Sequence, residues 1–198
     1  MHTHRYFKVY KPVNMVSQFW SPHKVNLLHD LKFSFPEGIH AIGRLDKNSE
    51  GLLLLTTNKK ITKLLFQGAQ VHHRTYLVQV KNKVIPATIH QIAKGIEISA
   101  KQGLVFTTSP CKVKLIQAPP YIVETEKPLH KNAESSWLEI TLTEGKFHQV
   151  RKMVAAVKHS CIRLIRISIE DMGIENMQPG EVVELNEKDF FKLLKLNV

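Results

Sequence analysis

Gly43-Arg44-Leu45-Asp46-Lys47-Asn48-Ser49-Glu50-Gly51-Leu52-Leu53-Leu54-Leu55-Thr56 is the stretch on which the fold turns. Leu52 to Leu55 is an unbroken apolar run of strand length, and it predicts a strand covered on both faces. Asp46-Lys47-Asn48-Ser49 ahead of it has the composition of a tight polar turn. A carboxylate therefore stands at the entrance to a buried strand. Taken alone, such an aspartate is more often a turn former than a catalyst.

Outward from this stretch, strands and helices intersperse. Arg5 to Tyr10 reads as a strand closed by Lys11-Pro12, and Leu27, Leu28 and Leu31 have the spacing of a short helix. After the leucine strand, Asn58 has the chemistry of an N-cap for a helix carrying Ile61, Leu64 and Leu65. Tyr76 to Lys81 alternates, with Tyr76, Val78 and Val80 on one face. Pro86 suits the first turn of a helix that Gly95 can stop. Strands follow near Leu104–Thr107 and Val113–Ile116, then a long loop from Ala118 to Ser135, then a strand from Trp137 to Thr143. Phe147, Val150, Met153, Val154 and Val157 recur at helical spacing. Arg163–Ile169 and Glu181–Leu185 complete the strands, and a last helix begins near Asn186. Short connections between neighbouring strands favour α+β with a largely antiparallel, mixed central sheet flanked by helices and loops.

Composition bounds the rest. The chain has 198 residues, of which 43% are apolar and 23% charged, so it can bury a core without staples. Its two cysteines, Cys111 and Cys161, form no metal or disulfide framework. The eleven histidines show no helical zinc spacing, so no metal is expected. The absence of a glycine-rich nucleotide loop predicts no nucleotide cofactor. No apolar run nears the roughly 18 residues of a membrane span, and no signal core opens the chain. A cytoplasmic protein without membrane association is expected.

The net charge is +11, and the signs segregate. Gly51 to Ile96 holds seven basic residues and no acid, and Gly145 to Arg166 holds six and no acid. Glu170 to Asp189 reverses the sign, with seven acids against Lys188. Such a field favours a polyanion, and nucleic acid is the commonest one.

Four motifs in order now give Asp46 a chemical context. They are the Arg44-Leu45-Asp46 stretch; Arg74-Thr75-Tyr76-Leu77-Val78; Glu144-Gly145-Lys146-Phe147-His148-Gln149-Val150-Arg151-Lys152-Met153; and Arg163-Leu164-Ile165-Arg166. Together they resemble the signature of the RsuA-like family of pseudouridine synthases. Lys11-Pro12, Gln18-Phe19 and Ser136-Trp137-Leu138-Glu139-Ile140 are similar to its RluE-like subgroup, which lacks the S4 RNA-binding domain found in many members. The resemblance runs from about Tyr6 to Leu185. It implies the pseudouridine synthase catalytic fold over residues 1–198, as a single domain or as two subdomains sharing the sheet, with no S4 domain ahead of it.

The resemblance also implies roles. Asp46 matches the family's catalytic aspartate, as nucleophile or as the base that removes a sugar proton. Tyr76 matches the tyrosine that packs on the target base. A carboxylate in a dry pocket needs a cation to stay ionised, and Arg151 is the candidate. Leu164 matches an apolar residue beneath the tyrosine, and Arg44 is expected to help flip the base or to bind phosphate. Lys59, Lys60, Lys146 and Lys152 are expected on the RNA backbone. Arg74 and Lys152 exchange the family's usual lysine and arginine.

The reaction breaks an N-glycosidic bond and forms a carbon–carbon bond with no redox change, so no cofactor is implied. The expected substrate is large-subunit ribosomal RNA, and the expected state is a monomer. Three alternatives compete: a non-catalytic RNA-binding or ribosome-assembly factor on the same fold, a transfer-RNA pseudouridine synthase, and a metal-dependent nuclease built on Asp46 and Glu50.

Overall fold

The computed structural model describes residues 4–68, 70–100, 103–117, 119–122 and 134–196. Most of the loop expected between Ala118 and Ser135 lies outside the described residues. The chain divides into two compact units, Met1–His72 with Ile165–Val198, and His73–Leu164.

In the first unit the leucine run is β3 (Glu50–Thr56), and all seven of its residues are buried. One edge pairs antiparallel with β1 (Tyr6–Lys11), in register from Tyr6 opposite Thr56 to Lys11 opposite Gly51. The other edge is shared. β2 (His40–Ile42) pairs antiparallel with Leu54–Thr56, and β9 (Cys161–Ile169) pairs parallel with Glu50 and Gly51 through Ile165 and Arg166. Strands paired on both edges and covered on both faces need continuous apolar sequence, which explains four successive leucines. Burying each contributes about 1.5–3 kcal/mol of transfer free energy.

β1 also pairs antiparallel with β11 (Val182–Leu185), and β10 (Met172–Gly173) with β9. The unit holds helices α1 (Ile61–Gln67) and α4 (Glu187–Leu193), and a single 3-10 turn at Leu28–Asp30 replaces the expected short helix. The α4 start is as expected: the Asn186 side chain accepts from the Asp189 N–H at 2.8 Å. The α1 start is not. Asn58 Oδ1 accepts from the Lys60 N–H at 3.1 Å, a local turn, and the helix begins only at Ile61. Phe190 and Phe191 of α4 meet Tyr6 with ring centroids 4.7 and 5.7 Å apart.

The second unit is built on β4 (Arg74–Lys81), β8 (Ser135–Leu142) and β7 (Lys112–Ile116). These strands are antiparallel in that order, with Tyr76 opposite Ile140. A two-stranded hairpin, β5 (Glu97–Ser99) with β6 (Val105–Thr107), stands separately. Helix α2 (Pro86–Ala93) begins on the proline, and Gly95 follows its end at φ +95°. Helix α3 (Gln149–Ala156) lays Val150, Met153 and Val154 on a core shared with Val78, Val80, Leu138, Ile140 and Leu164. Phe147 does not join that core. It precedes the helix and is 64% exposed.

The fold class is therefore α+β, with a mixed sheet in which β1–β3, β2–β3, β1–β11, β9–β10, β4–β8 and β7–β8 pair antiparallel and β3–β9 pairs parallel.

Candidate active site

Asp46 sits on the turn that enters β3, and the first unit fixes that turn from two sides. The Asp46 carbonyl accepts from the Ser49 N–H at 3.0 Å, closing the turn. The Ser17 hydroxyl donates to the Leu45 carbonyl and accepts from the Leu45 N–H, both at 2.9 Å. One side chain thus satisfies both backbone groups of the residue before the aspartate and holds its direction. Gly51 is the next requirement. Its φ is +100°, and a Cβ there would lie 2.2 Å from the Arg166 carbonyl oxygen. Only glycine lets β3 approach β9 so closely.

Charge is packed beneath this turn. Lys11 is fully buried at the end of β1, and its Nζ donates to the Pro12 and Met15 carbonyls at 2.9 and 2.7 Å. Glu50 and Arg166 are buried as well. The Arg166 Nε donates to the Leu52 carbonyl at 2.8 Å. Burial pushes the Lys11 amine down to about 8; the nearby carboxylates of Glu50 and Asp46 oppose the shift, and the Arg166 guanidinium adds to it. Sequence reasoning missed Lys11 and Ser17 as neighbours of the Asp46 turn. A lysine directly after Val9-Tyr10, inside an apolar strand, was the available signal.

The other site residues divide between the units. Arg44, Lys59 and Lys60 belong to the first unit and are exposed. Tyr76, Leu164, Arg151, Lys146 and Lys152 belong to the second. Tyr76 is half-buried on β4 and packs against the cluster that contains Leu164. Arg151 lies on α3, half-buried beside the apolar stripe, and its Nη1 donates to the Cys161 sulfur at 3.5 Å. Burial raises that thiol's pKa, while the guanidinium opposes the rise. Arg74 is buried, and its Nη1 donates to the Thr143 carbonyl at 3.3 Å, an orientation a lysine would not reproduce. Lys146 Nζ lies 4.8 Å over the Phe106 ring, and Lys152 Nζ donates to the Ser99 carbonyl at 2.6 Å.

A sequence model of the family described as RNA pseudouridylate synthase matches residues 5–156. The chain belongs to that family. Pseudouridine synthases are RNA-modifying isomerases, and the chain is an enzyme of that kind, with RNA as its partner. It is 35% identical over 178 residues to ribosomal large subunit pseudouridine synthase E of Vibrio vulnificus, covering 89% of this chain and 73% of the relative. It is 31% identical over 176 residues to the protein of the same name from Xanthomonas campestris, covering 86% and 90%. A solved pseudouridylate synthase superposes with a TM-score of 0.77 at 24% identity, over 98% of this chain and 75% of that one, which shows the fold. Among the described residues, no helix of this pseudouridine synthase is long and apolar enough to cross a membrane.

Proposed function

We propose that this pseudouridine synthase isomerises one uridine of large-subunit ribosomal RNA, as a cytoplasmic monomer. Asp46 is its catalytic carboxylate, Tyr76 the face on which the target base stacks, and Arg151 a cation serving the same reaction. Leu164 supports the tyrosine. Arg44, Lys59, Lys60, Lys146 and Lys152 engage the RNA. The observation that carries the target class is the 31–35% identity to relatives named for the large ribosomal subunit.

The chemistry needs little beyond a positioned carboxylate. The bond from the sugar C1′ to N1 breaks, the base turns, C1′ bonds to C5, the C5 proton leaves, and N1 takes up a proton in its place. Atoms and electrons balance within the nucleotide. The locked turn under Asp46 suits this role, because positioning accounts for much of such catalysis.

Pseudouridine mapping of ribosomal RNA tests the reading, in cells with the gene intact, deleted, or encoding Asp46→Asn. One large-subunit site is expected to vanish in both altered strains. A complete large-subunit map in the deletion strain overturns the target, and a site that survives Asp46→Asn overturns the role of Asp46.

A further inference from the structure

The loop-to-helix junction before α3 carries an aromatic pair that the core does not use. Phe147 is 64% exposed, and its ring stacks on His148 with centroids 3.8 Å apart and planes 18° from parallel. An exposed phenylalanine on a floppy loop would normally turn inward. Here the backbone forbids it. The Glu144 carboxylate accepts from the Ser109 N–H at 2.9 Å, the Ser109 hydroxyl at 3.3 Å and Gln149 Nε2 at 2.7 Å. The Gln149 side chain in turn accepts from the Lys146 N–H at 2.8 Å, and the Gln149 N–H donates to the Lys146 carbonyl at 3.1 Å. His148 holds a left-handed φ of +54° between these anchors, which starts the helix one residue after the ring pair.

Cations border the pair. Lys152 Nζ stands 5.4 Å from the Phe147 ring centroid, and exposed Lys146 precedes the pair on the same turn. From Gly145 to Arg166 no acid interrupts the basic residues, and the neighbouring Glu144 is already occupied by Ser109 and Gln149.

We propose that Phe147 and His148 form a stacking platform for an unpaired nucleobase of the substrate RNA, with Lys146 and Lys152 on the adjoining phosphates. The exposed Phe147 end of the two-ring stack is extended by a third ring. A phenylalanine face accepts any base, so the platform grips single-stranded RNA without reading its sequence. A duplex keeps its base faces stacked internally and offers nothing to the platform. The platform binds a nucleotide other than the reacting one. The inference rests on the RNA activity of the family and not on which uridine is modified.

The test uses the full chain and two fluorescent probes, a short oligouridylate and a blunt RNA duplex of mixed sequence. Phe147→Ala is expected to weaken oligouridylate binding about five- to hundred-fold, the usual worth of one stacked base. Phe147→Trp is expected to hold or tighten it, and Phe147→Leu, apolar but without an aromatic face, to bind like the alanine variant. Duplex binding should change little. On ribosomal RNA, Phe147→Ala should raise KM and leave kcat nearly unmoved. Leucine binding like the wild type, equal losses on both probes, or a fall in kcat alone would each overturn the platform. The probe carries no target sequence, so a failed large-subunit assignment leaves this comparison standing.

Discussion

Lys11 shows what a single residue contributes beneath the Asp46 turn. A fully buried ammonium is costly, and here two carbonyls and the nearby Glu50 and Asp46 carboxylates only partly offset the lost hydration. Its folded pKa, about 8, is below the ordinary 10.5, so above pH 8 the unfolded chain holds the proton that the folded chain releases. Stability from this group therefore rises with pH through that window, by on the order of 3 kcal/mol in full. Cys111 acts the other way. Burial pushes its thiol from 9.0 up to about 11, so its contribution falls with pH in that range. The rise should be visible first between about pH 8 and 9 in urea-unfolding midpoints. The direct check is the ε-carbon shift of Lys11 by NMR, which should titrate near pH 8 while exposed lysines move well above it. Titration together with the exposed lysines would refute the buried, unevenly compensated site.

Asp46, Tyr76 and Arg151 could be put forward as candidates because each sits in a distinctive local string. Ser17 and Lys11 could not, because their partners Leu45, Glu50 and Asp46 lie far along the chain and only folding reveals them.

At the scale of elements, local signals worked where a rule of backbone chemistry applied. Proline opened α2, glycine followed its end, and Asn186 capped α4. Replacing Asn186 with alanine should cost about 1 kcal/mol, read as a lower thermal midpoint. Periodicity misled at α3. Phe147 stands three residues before Val150 and seven before Val154, so the pattern extends the helix one turn too far. The Glu144–Gln149 bonds and the left-handed His148 delay its start, and they leave the ring outside. β3 makes a sharper demand. Gly51→Ala places a Cβ 2.2 Å from a backbone oxygen at a φ of +100°, and neither contact nor dihedral can relax locally. A loss of at least about 2 kcal/mol is expected in urea unfolding, together with weakened catalysis, since Asp46 lies on the turn feeding this strand. A variant as stable as the wild type would mean that β3 and β9 part easily.

For the whole molecule, the +11 charge governs how tightly RNA is held and not how the chain folds. Logarithmic affinity for single-stranded RNA should fall linearly with logarithmic salt. Replacing Lys59 and Lys60 together with glutamine should flatten that slope by about 1.4, or about 0.7 for each lost phosphate contact. Parallel lines for the two proteins would remove these lysines from the interface. The charge segregation was plain in the sequence. The division into two units entered only as one of two expected arrangements: the charge sign reverses just after Leu164, between Arg166 and Glu170, but nothing in the composition changes at His72. The parallel pairing of Glu50 with Ile165 joins segments that no local pattern connects.

That pairing sets an order of events during synthesis. The first unit is interrupted by the whole of the second, and β1 and β3 emerge from the ribosome long before β9 and β11 exist. Until Ile165 is made, the leucine run has its two antiparallel neighbours, β1 and β2, but an open flank at Glu50–Gly51, and β1 lacks its outer partner until Val182 follows. Closing so long an intervening loop carries an entropic cost of several kcal/mol, which falls if the insert has already collapsed. The nascent chain therefore depends on early folding of its middle portion, or on a chaperone that shields Leu52–Leu55, to keep an unfinished sheet edge from pairing with another chain.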